Sequence, residues 1–378
     1  MSQSLFQQRS GLLASGLSVS LLVAIGAGCS ANSSTNSTNT SGNPCAPTAS
    51  VQAFTVPQGP PAITGGFAYV VHTFGHKVVS YKVESSGDLT RRGETCAGLQ
   101  PTFIAANSTR KLAYVTNFSS NTVSAYTIGT DGVLAALGSP VQAGDGPASI
   151  TVDWTRNLVY VANFESDSVS VYKIESNGTL TRVQDLQTGG VGSGPVAIAL
   201  ATTGNFVYVA HFKKDTLSAY EVDVPNRRLV TTPIETYNLG LGGPNAITIH
   251  PSGSFMYVTN EDVKTVSGYS INTTNGALVP LVGSPYSTGI GPEGVAVDPA
   301  GKFAYVSDGQ ADTISTYTIS TGLLTAKQTV AAHGDPEGIT VDPTGTFVYV
   351  VHRDTRDIFV YTINPATGEL TFQSSAPL

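Results

Sequence analysis

Short apolar segments alternate with polar turns along most of the chain. Residues 255–271, "FMYVTNEDVKTVSGYSI", show the pattern: an apolar segment, a polar turn around Glu261, and a second segment in which apolar and small residues alternate. Segments of this kind, rich in Val, Tyr and Thr and bounded by Asn, Asp or Gly, are typical of β-strands. The pattern therefore predicts an all-β protein built from short strands.

The pattern occurs seven times, and each copy contains two tyrosines twelve positions apart. The first tyrosines of successive copies are 44 to 49 residues apart. The pairs are Tyr69 and Tyr81, Tyr114 and Tyr126, Tyr160 and Tyr172, Tyr208 and Tyr220, Tyr257 and Tyr269, Tyr305 and Tyr317, and Tyr349 and Tyr361. A repeat of this length indicates a propeller or a solenoid.

Each copy divides into four predicted strands. A "GPxxIxVDPxG" segment predicts an inner strand and a turn, "FVYV" a second strand, "TVSAYTI" a third, and "GxLT" an outer fourth. The first copy is shorter, and Gly65-Gly66 predicts a two-residue hairpin between its first two strands. Its inner strand either belongs to that copy or comes from residues 51–57. In the other six copies a Pro precedes the first Tyr by thirteen residues: Pro101, Pro147, Pro195, Pro244, Pro292 and Pro336.

A single four-stranded sheet cannot bury both of its faces, whereas seven sheets around one axis can. We therefore predict a seven-bladed β-propeller of four-stranded blades over residues 59–378. The paired tyrosines are expected to fill the interfaces between blades, where their hydroxyls find hydrogen-bond partners.

The residues before the repeats predict export. Residues 1–28 contain an apolar run after Arg9 and resemble a secretory signal peptide. "IGAGCS" resembles a bacterial lipobox, so Cys29 is the predicted lipidation site; the alternative is a secreted protein without lipid. Residues 29–58 form a predicted disordered tether. We expect a cell-envelope lipoprotein anchored to the outer membrane and facing the periplasm or the surface, with the lipid as its sole membrane contact.

Two further cysteines, Cys45 and Cys96, are predicted to form a disulfide that ties the tether to the first repeat, because the exported compartment is oxidising. The alternative is two free thiols. The net charge of −7 gives no basic surface for nucleic acid, and no nucleic-acid-binding motif occurs.

The "YVTN"-type repeats, the "DPxG" turns and the count of seven resemble the lactonase-type β-propellers, which include 6-phosphogluconolactonase and a cyclic muconate-lactonising enzyme. The resemblance covers residues ~60–378 and implies the fold together with a lactone-hydrolase activity, although related propellers also serve as binding proteins. It assigns Glu261, after Asn260, as the catalytic carboxylate; the alternative is that Glu261 is a scaffold residue. The arginines and the histidine of the family pattern are missing: Asn245 and Ala246 replace an Arg-His pair, and Gly309 replaces an Arg.

The connections that follow the second and fourth strands of a propeller blade share one rim of the central channel. Candidate binding residues on that rim are His72, His211, Asn245, Glu293, His333, Glu337 and His352. His72, His352 and Glu337 belong to blades that become neighbours when the ring closes, so they could hold a divalent metal or perform acid–base chemistry. The alternative is that these turn positions simply tolerate histidine. No cofactor is required by either interpretation.

Two functions follow. The first is a binding or scaffold propeller that holds an unknown small ligand, glycan or protein at the rim. The second is a 6-phosphogluconolactonase-like lactone hydrolase, acting through Glu261 or the histidines. The missing arginines favour the binding function.

Overall fold

The computed structural model describes residues 62–201, 205–240 and 242–378, and nearly all of its regular structure is β-strand. The strands form seven separate antiparallel sheets, each made from one continuous stretch of sequence. Blades 1 and 2 contain β1 (Ala62–Thr64), β2 (Phe67–His72), β3 (Lys77–Val83), β4 (Leu89–Cys96), β5 (Pro101–Asn107), β6 (Leu112–Asn117), β7 (Thr122–Ile128), β8 (Leu134–Ala136) and β9 (Val141–Gln142).

Blades 3 and 4 repeat this arrangement. They contain β10 (Pro147–Asp153), β11 (Leu158–Asn163), β12 (Ser168–Ile174), β13 (Leu180–Gln187), β14 (Pro195–Leu200), β15 (Phe206–His211), β16 (Thr216–Asp223), β17 (Arg228–Leu229) and β18 (Glu235–Asn238). In blades 2, 4 and 5 the outer edge consists of two short strands that both pair with the third strand.

Blades 5 to 7 complete the ring. They contain β19 (Pro244–Ile249), β20 (Phe255–Asn260), β21 (Thr265–Ile271), β22 (Leu278–Pro280), β23 (Tyr286–Ser287), β24 (Pro292–Val297), β25 (Phe303–Asp308), β26 (Thr313–Ser320), β27 (Leu323–Ala331), β28 (Pro336–Val341), β29 (Phe347–His352), β30 (Asp357–Ile363) and β31 (Leu370–Pro377). Single 3-10 turns follow the second strand in blades 1, 4, 5 and 6: Thr73–Gly75, Phe212–Lys214, Glu261–Val263 and Gly309–Ala311. The predicted seven-bladed β-propeller of four-stranded blades is confirmed.

The second strand of each blade lies in the core. In β11 every residue is buried, because both faces of the strand pack against neighbouring blades. The apolar side chains of adjacent blades form shared clusters, such as the one that joins Tyr114 of blade 2 to Val159 and Tyr172 of blade 3. Burial of apolar area between blades is therefore the main stabilising contribution to the ring.

The paired tyrosines connect each blade to both of its neighbours. In five blades the first Tyr donates to a backbone carbonyl in the next blade, as Tyr208 does to Gly276 at 3.0 Å. In blades 1, 2, 3 and 6 the second donates to a carbonyl at the end of the outer strand of the preceding blade, as Tyr126 does to Cys96 at 2.9 Å. Their rings are almost completely buried, so the structural role predicted for these residues is confirmed.

Among the described residues, blades 1 and 7 are each built from their own strands, and side chains join them where the ring closes. Tyr349 of blade 7 donates to the carbonyl of Gly87 at 2.8 Å, and Tyr81 of blade 1 donates to that of Pro377 at 2.5 Å. Ser374 also donates to Asp88 at 2.6 Å. The inner strand of blade 1 is its own three-residue β1, joined to β2 by a turn at Gly65-Gly66 in which both residues have positive φ, as the hairpin prediction requires.

The predicted signal peptide, lipidation site and most of the tether lie outside the described residues. Cys96 is disulfide-bonded. Cys45 lies outside the described ranges, so its pairing with Cys96 stays a prediction. None of the helices in the described ranges has the length and hydropathy of a membrane span.

Candidate functional site

In blades 2 to 7, two positions meet at one rim of the channel. The Pro that begins an inner strand is paired with the last residue of the second strand, as Pro244 is with Asn260 and Pro292 with Asp308. The ladder has a bulge directly after the Pro. The residue after the Pro and the residue after the second strand therefore lie at the same rim, as the sequence predicted.

The last residue of the second strand is buried beneath this rim and fastens the following hairpin. Asn117, Asn163 and Asn260 each donate an amide hydrogen bond of 2.9 Å to the serine seven residues later. Asp308 accepts the corresponding bond from Ser315 at 2.6 Å, and burial raises the pKa of its carboxyl group. These bonds hold the hairpin inside the blade, which is a structural role.

Three of the candidate histidines occupy this same position. His211 has no exposed surface, and its Nε2 lies 3.2 Å from Ser218 Oγ. His352 is equally buried, and its ring centroid lies 4.1 Å from that of Phe359. Phe359 occupies the position in blade 7 that Ser218 occupies in blade 4. His72 is half-buried. Burial lowers the pKa of all three to about 4, so they are neutral at pH 7, and an acid–base role for them stays a prediction.

A divalent metal held by His72, His352 and Glu337 stays a prediction. In the three described ranges, no set of three or more His, Cys, Asp or Glu side chains has an arrangement that could hold a metal ion. His333 is exposed and has a φ of 50°. Roles for His72, His211, His333 and His352 in ligand binding stay predictions.

Charged side chains converge at the rim on blades 6 and 7, and Glu261 occupies the same rim position of blade 5. We call Glu261, Glu293, Asp335, Glu337 and Arg353 the charged sector. The Arg353 guanidinium lies 2.7 Å from a Glu337 oxygen and 3.9 Å from a Glu293 oxygen, and it also pairs with Asp335. The Arg353 and Asp335 side chains are each 15% exposed, whereas those of Glu293 and Glu337 are almost completely buried. One guanidinium thus joins carboxylates from two blades.

Gly309 makes this convergence possible. A Cβ at this position would lie 2.6 Å from Asp335 Oδ1 and 2.9 Å from Glu293 Oε1, closer than van der Waals contact allows. Gly309 therefore gives two carboxylates the space to approach, and the guanidinium beside them comes from blade 7.

Glu261 begins the 3-10 turn of blade 5 and is buried. The side-chain amide of Asn245, the residue after Pro244, donates to Glu261 Oε2 at 3.3 Å. Asn245 therefore orients the carboxylate that the family resemblance assigned as catalytic. The sequence identified both residues, but it did not identify this contact.

Arg353 is the residue that the sequence interpretation missed. It follows His352 in "VVHRD" and occupies the position in blade 7 that Glu261 occupies in blade 5. Aligning the seven copies on their first tyrosine would have shown it, because Arg353 follows Tyr349 by four residues, as Glu261 follows Tyr257.

The same position carries phenylalanine in blades 2, 3 and 4. We call Phe118, Phe164 and Phe212 the aromatic sector. Their ring centroids are 6.5 Å apart between the first and second and 6.4 Å apart between the second and third. Ala148 and Val196, which follow the prolines of blades 3 and 4, belong to the same buried cluster. This half of the rim is a continuation of the core.

The charged sector contains four carboxylates and one guanidinium, a formal net charge of −3 when all are ionised. Its carboxylates can accept hydrogen bonds from hydroxyl or ammonium groups, and Glu261 can take a proton from water. Phosphate binding is disfavoured, because a dianion would meet excess negative charge and the guanidinium is already paired with carboxylates.

Comparison with known proteins agrees with this architecture. The family model described as "Lactonase, 7-bladed beta-propeller" matches residues 67–377. A protein of known structure from Lactobacillus plantarum is 23% identical, with a TM-score of 0.70, and the alignment covers 79% of this chain and 92% of that one. No curated protein matches the chain significantly.

Two further structures carry names that indicate activity. The periplasmic gluconolactonase of Pseudomonas aeruginosa is 18% identical, with a TM-score of 0.70 over 80% of this chain and 92% of that one. A candidate 6-phosphogluconolactonase from Bacteroides fragilis is 20% identical, with a TM-score of 0.71 over 80% and 91%. At these identities the likeness shows the fold alone, whereas the family model spans most of the chain. The protein belongs to the lactonase family of seven-bladed β-propellers.

Proposed function

We propose that this lactonase-family propeller binds a small polyhydroxylated ligand, uncharged or cationic, at the charged sector of the rim. The observation that carries the proposal is the convergence of Glu293, Asp335 and Glu337 on Arg353. Asp335 and Arg353 are partly exposed, so a ligand entering from the rim meets them first.

The contacts support a ligand with hydroxyl groups. A carboxylate accepts hydrogen bonds only, and bonds to a charged acceptor are stronger than those between neutral groups. The guanidinium is held in place by its carboxylate partners, so it can donate from a fixed position with little loss of side-chain entropy. A sugar or sugar-derived ring offers hydroxyls to both kinds of group.

A second candidate function is the hydrolysis of an uncharged lactone. It is favoured by family membership and by the bond from Asn245 to Glu261. In this function Glu261 takes a proton from water, the water oxygen attacks the lactone carbonyl, and the Asn245 amide stabilises the developing oxyanion. The ring oxygen leaves with a proton, which gives a hydroxy acid.

The experiment compares ligands that differ only in a phosphate group. Calorimetry would measure binding of glucono-1,5-lactam, an uncharged and hydrolysis-resistant analogue, and of its 6-phosphate. We expect the uncharged analogue to bind more tightly, and Glu293→Gln to weaken it by about tenfold or more, the loss of one charged hydrogen bond. The control is Glu165→Gln, an exposed acid beside the aromatic sector. Tighter binding of the phosphate, or equal effects of the two variants, would contradict the proposal.

Turnover separates the two functions. Acid release from glucono-1,5-lactone would be followed at constant pH for the wild type and Glu261→Gln. Hydrolysis that is lost in Glu261→Gln while the lactam still binds would assign the hydrolase function. Lactam binding without wild-type turnover would assign the binding function.

The anchoring of the protein is a separate proposal. We propose that Cys29 carries lipid and holds the propeller at the cell envelope, on the basis of the "IGAGCS" sequence. Labelling with a radioactive fatty acid, with Cys29→Ser as control, tests it; equal labelling of both would contradict it.

A further inference from the structure

A pocket lies on the face of the propeller opposite the charged sector. It has a volume of about 620 Å³ and is lined by the turns after the inner strands of blades 2 and 3 and after the third strands of blades 3 and 4. A volume of this size suits a small-molecule ligand. Because these turns are at the other end of the strands, the pocket is independent of the function proposed above.

Basic side chains from three blades line this pocket. Arg110 comes from blade 2, Lys173 from blade 3 and Arg227 from blade 4. Glu175 lies 2.6 Å from the Lys173 ammonium and offsets its charge, which leaves a formal charge of +2 from the two arginines. The chain as a whole has a net charge of −7, so the pocket is a local exception.

Both arginines keep donors for a ligand. Arg110 Nη1 donates to Asn157 Oδ1 at 2.5 Å, and a guanidinium has five N–H groups. Leu112 and Ile174 add apolar lining between the basic groups. The pocket therefore combines hydrogen-bond donors for an anion, at its edge, with an apolar surface.

The position of Arg227 is unusual for the repeat. It has a φ of 53°, in the left-handed region that glycine adopts most readily. The other six blades have a glycine with positive φ in this turn: Gly87, Gly132, Gly178, Gly276, Gly322 and Gly368. Blade 4 thus places a long cationic side chain at the pocket in a turn where an arginine is conformationally disfavoured.

The neighbouring interface is also altered. In five blades the first Tyr donates to the carbonyl of the next blade's turn glycine, as Tyr114 does to Gly178 at 2.8 Å. The equivalent Tyr160, which faces blade 4, has a buried hydroxyl with no hydrogen-bond partner among the described residues. The substitution of glycine by Arg227 therefore coincides with the absence of a bond that five of the six glycine turns accept; Tyr69, which faces the Gly132 turn, also has a buried hydroxyl with no partner among the described residues.

We propose that this pocket binds a small organic anion. Its carboxylate, sulfonate or phosphate group lies between Arg110 and Arg227, and its apolar part lies against Leu112 and Ile174. Guanidinium groups favour such anions because their planar N–H pairs match two acceptor oxygens.

The test uses two fluorescent probes with the same ring system. 8-Anilinonaphthalene-1-sulfonate carries a sulfonate, and N-phenyl-1-naphthylamine lacks it. We expect the sulfonate to bind the wild-type protein with one site, and the uncharged probe to bind at least tenfold more weakly. Calorimetry gives the affinity and the number of sites.

Arg227 and Arg228 provide matched variants, because they are adjacent and only Arg227 lines the pocket. Arg228 pairs instead with Asp223 at 3.1 Å. Arg227→Gln and Arg110→Gln should each weaken sulfonate binding about tenfold or more, and Arg228→Gln should leave it unchanged. Arg227→Gly, which restores the residue of the other six blades, is the second variant and should retain the fold while losing affinity.

Three results would overturn the proposal. They are no sulfonate binding by the wild-type protein, equal effects of Arg227→Gln and Arg228→Gln, and equal affinity for the charged and uncharged probes. Each would show that the basic side chains do not form a ligand site.

Discussion

The two halves of the rim use the same backbone positions for different purposes. Phe164 in blade 3 and Glu261 in blade 5 both follow the last residue of a second strand, and both are buried. In the aromatic sector this position extends the core, with Ala148 and Val196 packed beside it. In the charged sector it carries an acid, a glycine or an arginine. The comparison shows that the residue after the Pro and the residue after the second strand can vary without a change of the fold.

The difference also shows how the charged sector is tolerated. Burial of a carboxylate is costly unless the carboxylate is paired with a cation. Here the cation comes from one of the two rim positions, the residue after the second strand. Arg353 occupies the turn position of blade 7 and contacts Glu337 at the position after the Pro. The aromatic sector needs no such partner, because its side chains are apolar.

Removal of Arg353 is expected to have the largest effect. Arg353→Met leaves Glu293, Asp335 and Glu337 without their shared cation, so the free energy of unfolding should fall by about 3–5 kcal/mol. The matched control is Arg356→Met, an exposed arginine in the same turn, which should change it by less than about 0.5 kcal/mol. Urea denaturation measures both; similar values would mean that the charged sector does not stabilise the ring.

Truncation in the aromatic sector comes next. Phe164→Ala removes the ring that contacts both Phe118 and Phe212, and we expect a loss of about 3 kcal/mol from lost burial and the cavity left behind. Phe74, in the corresponding turn of blade 1, is 43% exposed, so Phe74→Ala should be nearly neutral. A loss below about 1 kcal/mol for Phe164→Ala would show that the aromatic sector is not part of the core.

A pH experiment examines the last residue of the second strand, which is buried beneath the rim and is His211 in blade 4. The folded pKa of His211 is lowered to about 4 by burial, whereas the unfolded pKa is about 6.5. Below pH 6.5 the unfolded state therefore binds the proton first, and the wild type loses up to about 3 kcal/mol of stability between pH 6.5 and 4.

His211→Asn introduces the residue that blades 2, 3 and 5 have at this position. The free energy of unfolding of this variant should fall less than that of the wild type over the same pH interval. The measurement is the urea midpoint at pH 7 and at pH 4.5. Parallel losses in the two proteins would show that His211 is protonated in the folded state.

The smallest expected effect concerns the tyrosine hydroxyls. Tyr349→Phe in blade 7 removes the bond to Gly87 and should cost about 1 kcal/mol, because a buried carbonyl loses its donor. Tyr160→Phe in blade 3 removes a hydroxyl that has no partner among the described residues, so it should be neutral or slightly stabilising. Thermal unfolding compares the two; a larger loss for Tyr160→Phe would contradict the assignment of their partners.

The fold could be predicted because its signals are local and repeated. The twelve-residue spacing of each tyrosine pair and the period near 47 residues define strand, turn and blade without knowledge of distant contacts. The proximity of Glu261 and Asn245 could also be anticipated. Each directly follows one member of the Pro244–Asn260 pair in the same blade.

The remainder of the site depends on contacts between blades. Glu293 meets Arg353 only because blades 6 and 7 are adjacent in the ring, at 3.9 Å between their charged groups. The histidines were interpreted as open rim residues, although the sequence held a contrary signal. In five copies the strand-end residue is followed seven positions later by a serine, its hydrogen-bond partner in the structure.

The closure of the ring has a consequence for how the chain could be rearranged. Each blade is one uninterrupted stretch, and the junction between blades 7 and 1 has the same two tyrosine bonds as the junction between blades 2 and 3. The order in which the blades are synthesised is therefore not fixed by the architecture. A circular permutant that begins at any of the six prolines, with a short linker from Leu378 to Ala62, should assemble into an equivalent wheel.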